Sequence, residues 1–271
     1  MKRIKRLLTL YASYFRINVT RYVAYRVETV IWLVGMILPP VVLLSVWQSA
    51  ASRAGGVIAG FNGGDIAAYF IVVMLVNHAT QAWAVFLWES YVREGYLAYV
   101  LLRPHPVFMQ DLAENVAFKL VTMPIMLLTG VALWISFHAH LQVNPLALLT
   151  AIPAVLLAFA LRYTIDWIVA TTAALYSTKV DAVNAVFFFI VLIFSGQVAP
   201  LQMLPGALRM VANFLPFRWM IDFPVQALMG RLTTEAILAG LGVQVLWVMV
   251  HAGLIAITWR GGIRRFTAVG L

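Results

Sequence analysis

Two ionisable residues, Arg162 and Asp166, interrupt a long apolar stretch of the sequence. A spacing of four residues places both on one face of a helix, where a guanidinium and a carboxylate can pair. A lone charge in the middle of a bilayer costs at least about 2.5 kcal/mol, so these side chains need each other or a polar cavity. Two interpretations stay open: the pair lines a translocation route, or it is structural, either fixing the packing of helices or lying near the inner interface.

Other patterns associated with chemistry are missing from the sequence. It has no cysteine, so a disulfide or a thiolate metal site is excluded. It has no GxxxxGK[ST] phosphate loop, no GxSxG elbow and no HExxH helix, and its five histidines are scattered. We therefore expect no catalytic residue and no metal or cofactor bound by this chain. Nucleotide hydrolysis, if the protein depends on it, must come from a partner.

The composition indicates a membrane protein. Of the 271 residues, 63% are hydrophobic and 11% are charged, whereas a soluble domain carries roughly 25% charged residues. Several apolar runs reach the ~20 residues that a spanning helix needs, and lipid offers no partner to unpaired backbone groups. We predict an all-α polytopic protein with six transmembrane helices. The predicted spans are 27–49, 66–88, 117–137, 146–176, 182–195 and 235–259.

Residues 1–26 are basic and amphipathic. Apolar side chains such as Ile4, Leu8 and Phe15 recur at helical spacing, and cations occupy the opposite face. This pattern favours a helix that lies in the membrane interface over a solvated basic tail. The net charge of +9 would suggest nucleic acid for a soluble protein. In a membrane protein it indicates contact with anionic lipid, and we expect no nucleic acid partner.

A polar stretch from Arg93 to Pro106, called here the 93–106 segment, separates the second and third spans. Gly95 can release the backbone from the second span, and Arg103-Pro104 ends the short helix predicted over 96–102. The segment is either a rigid element that receives force from a partner or an ordinary amphipathic connector. A second interruption, residues 196–230, is divided by prolines into pieces too short to span, which we interpret as re-entrant or interfacial helices.

The distribution of Lys and Arg predicts the orientation. With the N-terminus inside, fourteen of the 19 basic residues fall on the cytoplasmic side, four fall outside and Arg162 lies within a span. This imbalance follows the positive-inside rule. Both termini and the 93–106 segment are therefore predicted to be cytoplasmic, and 196–230 is predicted to face outward.

Two blocks of the sequence resemble a known family. Arg93-x-Gly95-x-Leu97, followed by Leu101-Leu102-Arg103-Pro104, is similar to the R-x-G-x-L…LLRP pattern of ABC-2-type permeases, specifically the six-span branch of the uncharacterised transport system. Glu94 departs from that pattern, which favours a small or polar residue. The second block resembles the branch's pattern before the last span; its members include Pro200, Pro205, Pro216, Phe217, Pro224 and Gly230.

The resemblance implies an ABC-2 transmembrane domain of the type V exporter kind, in the cell inner or plasma membrane. It implies a connecting helix at 1–26, a transmembrane domain at 27–271, a coupling region at 89–114 and an outward re-entrant region at 196–230. The implied partners are two cytoplasmic ABC ATPase subunits, which would use ATP and Mg, and a second permease of the same or a homologous chain. The ATPase contact would involve Arg93, Glu94, Gly95, Leu97, Arg103 and Pro104.

Three functions follow as hypotheses. The first is the permease subunit of an ATP-driven exporter. The second is a proton-coupled carrier or integral-membrane enzyme that uses Arg162 and Asp166. The third is a membrane anchor that holds an ATPase complex without transporting anything. The presence of an ABC ATPase partner separates the first from the second, and substrate accumulation separates it from the third.

Overall fold

The computed structural model describes residues 2–140, 145–176 and 179–264, and most of these residues are helical. The long helices are α1 (Lys2–Ala24), α2 (Arg26–Arg53), α3 (Gly63–Thr80), α4 (Ala84–Arg93), α6 (Phe108–Ser136), α7 (Pro145–Tyr176), α8 (Val180–Phe194) and α11 (Thr234–Ile263). The short elements are the hairpin strands β1 (Val57–Ile58) and β2 (Phe61–Asn62), helices α5 (Leu97–Leu101), α9 (Gly206–Phe214) and α10 (Asp222–Leu228), and 3-10 turns at Leu201–Met203 and Pro216–Met220.

Among the described residues, five helical segments are long and apolar enough to cross a membrane: Arg26–Arg53, Gly63–Trp88, Phe108–Ser136, Leu149–Tyr176 and Thr234–Ile263. These helices confirm a helical, multi-pass membrane protein. The remaining predicted span corresponds to α8, which has 15 residues. At 1.5 Å per residue it extends ~22 Å, which is less than the ~30 Å hydrocarbon core. Length alone therefore does not establish six crossings.

The predicted second span, 66–88, is not one continuous helix. Helix α3 ends at Thr80 and α4 begins at Ala84, so residues 81–83 form a break inside the apolar run. The sequence contains no proline or glycine at this point, which is why hydropathy and breaker residues did not predict it. By contrast, α2 continues through Pro39 and Pro40.

The region between the second and third spans is shorter than the predicted 89–114. Helix α4 continues to Arg93 and α6 already begins at Phe108, so residues 108–114 belong to the third long helix. The short helix predicted over 96–102 is confirmed as α5. Helix α1 likewise agrees with the N-terminal helix predicted from the periodicity, and it ends where Tyr25 leaves the helical conformation.

Helix α3 lies at the centre of the protein. Nearly every residue from Ile66 to Val76 is buried, and this helix supplies nine of the nineteen buried residues in the largest cluster. Its N-terminus is closed by Asn62 and Asp65, whose side chains accept hydrogen bonds from each other's backbone nitrogens. A continuously apolar helix of this kind suits a fully enclosed position.

Contacts around this N-terminus define one end of the helical bundle. The Arg231 guanidinium lies 3.5 Å from the Asp65 carboxylate, and the His140 backbone nitrogen donates to the Gly64 carbonyl at 3.0 Å. The Tyr69 hydroxyl donates to the carbonyl of Gly196 at 2.8 Å. Residues 196–231 therefore lie at the same end as the hairpin and the loop after α6.

Candidate functional site

The 93–106 segment forms an elbow at the opposite end of α4. Gly95 has a φ of +69°, a left-handed conformation that costs residues with a side chain roughly 1 kcal/mol or more, and it ends α4. Arg103 then closes the elbow, since its guanidinium donates to the Tyr96 hydroxyl and to the Gln110 side-chain oxygen, both at 2.6 Å. The start of α5 and the start of α6 are thereby linked by one side chain.

Helix α5 has a buried face and an exposed face. Leu97 and Val100 are buried in a cluster with Trp88. Tyr99 and Leu102 are 66% and 83% exposed, and Glu94 and Pro104 are also exposed. Arg93 is the last residue of α4, but its side chain lies outside the described part of the structure. Apart from the Arg93 side chain, the residues predicted to contact the ATPase lie together on this elbow. Buried Leu97 anchors α5 beneath the exposed face.

Helix α1 packs along the beginning of α6, next to this elbow. The Tyr14 hydroxyl lies 2.9 Å from His105 Nε2, and the Arg21 guanidinium binds the Glu114 carboxylate at 2.5 Å. Burial raises the pKa of Tyr22, and the neighbouring Glu114 raises it further. Burial lowers the pKa of Arg21, but Glu114 and Tyr22 together raise this pKa by more, so the guanidinium stays charged. The N-terminal helix is therefore tied to the 93–106 segment and to the third long helix.

Asp166 binds the helix that begins after the break at 81–83. Its carboxylate accepts hydrogen bonds from the backbone nitrogens of Ala84 and Val85, the latter at 3.4 Å. These are the first N–H groups of α4, which have no partner within the helix. A carboxylate at this position also interacts favourably with the positive end of the helix dipole. Asp166 on α7 thus provides the hydrogen-bond acceptor that the first N–H groups of α4 lack within the helix.

Lys119 binds the other side of the same break. Its ammonium donates to the carbonyl of Gln81 at 2.5 Å, just beyond the end of α3, and it lies 4.7 Å from the centre of the Trp83 ring. A cation at the C-terminal end of a helix is favourable for the same reason that an anion is at the N-terminal end. Two buried charges of opposite sign therefore stabilise the two ends of the interruption.

Arg162 does not join Asp166 in any of the described ion pairs. Its guanidinium donates instead to the side chains of Asn77 at 2.7 Å and Thr80 at 3.3 Å, in the last turn of α3. The two residues share a helical face, as the spacing predicts, but each binds its own part of the second span. Whether they line a route stays a prediction.

Several members of this cluster were missed by the sequence analysis. Lys119 is one of the fourteen basic residues that the charge distribution assigns to the cytoplasmic side, and the sequence predicts no role for Asn77 or Gln81. A signal was available: three polar residues, Asn77, His78 and Gln81, occur within five positions of an apolar run. His78 in turn lies 3.0 Å from the Thr122 hydroxyl. Polar side chains inside a span usually face a partner within the bundle.

The 196–230 region folds into short helices. Several of their ends lie at the prolines and at the glycine of the second sequence block. Pro200 and Pro205 precede a 3-10 turn and α9, Pro216 begins the second turn, and Gly230 follows α10 with a φ of +67°. Further in, the Phe217 ring packs on Phe187, and Pro224 is buried within α10.

Buried Asp222 holds this region together. Its backbone nitrogen donates to the Ser195 carbonyl at 2.9 Å, its side chain lies 3.5 Å from Arg218, and burial raises its pKa. No group of three or more His, Cys, Asp or Glu side chains that could hold a metal occurs among the described residues.

These features define a multi-pass helical membrane protein with a charged, interrupted helix at its centre and an exposed elbow at one end. The family described as ABC-2 family transporter protein matches residues 20–270. The chain therefore belongs to the ABC-2 family of transporter proteins, whose permeases work with ABC ATPase partners. A search of curated proteins gives no significant match.

Proposed function

We propose that this chain is the permease subunit of an ABC exporter, driven by ATP hydrolysis in two separate cytoplasmic ATPase subunits. The chain would contribute no ATPase site, and ATP and Mg would be used by those partners. A second permease, the same or a homologous chain, would complete the transmembrane part. The family membership of residues 20–270 supports an ABC transporter permease, and the direction and stoichiometry are part of the proposal.

The observation that carries the proposal is the construction of the 93–106 segment. Its outer face presents Tyr99 and Leu102 to solvent, whereas its base is bound by Arg103 and by buried Leu97. Helix α4 leads from this elbow directly to the Asp166 carboxylate. A push on α5 would therefore be transmitted into the centre of the bundle through a rigid helix. An ordinary connector would not require such an exposed apolar face on a fixed base.

Six crossings with both termini in the cytoplasm are also part of the proposal. The contact between Arg231 and Asp65 supports an outward position for 196–231, because Asp65 lies at the end opposite the 93–106 segment. Helix α8 would then connect the two ends of the helical bundle although it has only 15 residues, and residues 195–197 would complete the crossing. The plasma or inner membrane is the corresponding location, with lipid around the exposed apolar helices.

The carrier or enzyme alternative is less well supported. Arg162 and Asp166 each bind polypeptide rather than an open space, and family membership favours a transporter that works with ABC ATPases. The non-transporting anchor differs from the exporter only in the accumulation of cargo, which a transport measurement would test.

The proposal predicts a stable complex with an ABC ATPase. The chain would be produced together with candidate ABC ATPase subunits, captured through a tag on the chain and reconstituted in lipid. We expect the ATPase to copurify and to hydrolyse ATP faster in the complex than alone, because binding at the elbow couples the two proteins. A complex whose ATPase carries a replaced phosphate-loop lysine is the control. Failure of any ABC ATPase to copurify would overturn the proposal.

A further inference from the structure

A cavity of about 580 Å³ opens between the α1–α2 corner, the break at 81–83 and α6. Its volume lies within the ~300–1,000 Å³ of small-molecule sites. Aromatic rings and three charged side chains surround it. The lining residues used below are Arg21, Glu28, Trp32, Trp83, Phe86 and Glu114.

The walls of the cavity present aromatic rings to its contents. Trp83 packs edge to face on Phe118, with ring centres 5.0 Å apart, and is held by that contact. Trp32 and Phe86 are 60% and 58% exposed, so their rings are not covered by other described parts of the chain. Rings of this kind offer apolar area, and their faces attract cations.

The charges of the lining leave one carboxylate unneutralised. Glu114 is bound by Arg21 at 2.5 Å and by the Tyr22 hydroxyl at 3.3 Å. Glu28 is exposed, and it forms no hydrogen bond or ion pair with the described part of the chain. Lys119 is buried behind the lining, where its ammonium binds the carbonyl of Gln81 and lies 4.7 Å from the centre of the Trp83 ring, so that ring already has a cation beside it. The lining therefore has two carboxylates and one guanidinium.

We propose that this cavity binds an organic cation with an apolar body. Glu28 supplies the counter-charge, and Trp32 and Phe86, whose rings are exposed, supply ring faces for the cationic centre and its substituents. An anion is disfavoured because the one guanidinium in the lining is already paired with Glu114. A purely apolar molecule would displace water from the Glu28 carboxylate without replacing the interactions of that water.

This inference deepens the proposed function by naming the chemical class of the cargo that the permease would take up at this site. It can fail independently of the proposed function, because binding is measured on the permease alone and ATPase association is measured without cargo. A chain that associates with the ATPase but does not bind the cation would contradict this inference alone. A chain that binds the cation but no ATPase would contradict the proposed function.

The test uses two probes of the same shape and opposite charge, tetraphenylphosphonium and tetraphenylborate. Their affinities for the purified chain in neutral maltoside micelles would be measured by equilibrium dialysis. We expect the phosphonium to bind and Glu28→Gln to weaken that binding about fivefold, as loss of a partly exposed charge interaction would. Trp32→Leu is expected to have a similar effect. Both side chains are exposed, so neither variant should unfold the protein.

Two matched variants serve as controls. Glu235→Gln removes an exposed carboxylate from α11, and Phe189→Leu removes an exposed ring from α8. Neither residue lines the cavity. Both should bind the phosphonium as the parent chain does. The proposal is overturned if tetraphenylborate binds the parent chain as tightly as the phosphonium, or if Glu28→Gln binds with unchanged affinity.

The same chemistry could be supplied by a free cation or by the cationic headgroup of a lipid. Adding short-chain phosphatidylcholine to the micelles distinguishes the two sources. Displacement of the phosphonium that depends on Glu28 would identify the choline headgroup as a ligand. Persistence of binding would identify a free cation, and either result supports a cation site.

Discussion

At the scale of single residues, Lys119 and Asp166 occupy the positions that an interrupted helix requires. The end of α3 has free carbonyls and the start of α4 has free N–H groups. In a bilayer no water is available for them, so each unsatisfied group costs several kcal/mol. Lys119 binds the carbonyl side and Asp166 binds the N–H side. The two charges explain how the second span can be broken without proline or glycine.

Asp166→Asn is expected to lower the free energy of unfolding by about 1–2 kcal/mol, because the amide retains an acceptor but loses the charge that interacts with the start of α4. Unfolding in mixed micelles, followed by circular dichroism, would measure the change. Glu235→Gln is the matched control: this acid also lies in the first turn of a helix, but it is exposed, and its loss should change stability by less than about 0.5 kcal/mol. Equal stability of Asp166→Asn and the parent chain would show that no charge is needed at the break.

The sequence predicted that Arg162 and Asp166 share one face of a helix, but it did not predict which groups they bind. A spacing of four residues places Arg162 and Asp166 on one face, and this much follows from helix geometry. Which groups they contact depends on how α3, α4 and α7 pack, since Asn77 and Ala84 are about 80 residues away in the chain. The partners are therefore determined by tertiary packing, which the local spacing of residues does not specify.

At the scale of elements, the 93–106 segment combines a fixed base with a free face. The Arg103 side chain connects Tyr96 at the start of α5 with Gln110 in α6. The guanidinium carbon also lies 5.6 Å from the centre of the Tyr96 ring. A planar group with several donors can make these contacts at once, whereas a lysine could not. The orientation of α5 thus depends on one residue.

Arg103→Ala is expected to leave membrane insertion unchanged and to reduce permease-stimulated ATP hydrolysis about tenfold, because two hydrogen bonds of roughly 1 kcal/mol each no longer fix α5. Hydrolysis by the purified complex and the yield of membrane-inserted chain would be measured together. Arg209→Ala, at an exposed position of α9, is the matched control and should behave as the parent chain. Full stimulation in Arg103→Ala would reduce the 93–106 segment to a connector.

Element boundaries were predictable to different degrees. Helices α1 and α5 follow from periodicity and from the Gly95 and Pro104 signals, and the structure has both. The break at 81–83 was not predictable from propensity, because its stabilising charges come from other helices. The early start of α6 was also missed, since buried polar residues such as Asp111 and Asn115 lower the hydropathy of a helix that is nevertheless continuous.

At the scale of the whole molecule, the number of crossings determines on which side of the membrane each terminus lies. Five segments are long enough by themselves among the described residues, and α8 is shorter. Without a crossing by α8 the termini would lie on opposite sides, yet the count of basic residues would still be fourteen inside and four outside, because three arginines of 196–231 would exchange sides with three near the C-terminus. The hydrogen bond from Tyr69 to Gly196 supports the even number, because it joins the end of α8 to the end of the bundle where α3 begins.

The absence of cysteine from the sequence makes this question directly testable. Single cysteines at Tyr99, Ala207 and Arg264 would be labelled with a membrane-impermeant maleimide in oriented vesicles, against the unlabelled parent chain. Six crossings predict that Tyr99→Cys and Arg264→Cys react from one side and Ala207→Cys from the other. If α8 does not cross, Ala207→Cys reacts from the same side as Tyr99→Cys, and Arg264→Cys from the opposite side. The two topologies thus give different patterns at two of the three positions, so one labelling experiment decides between them.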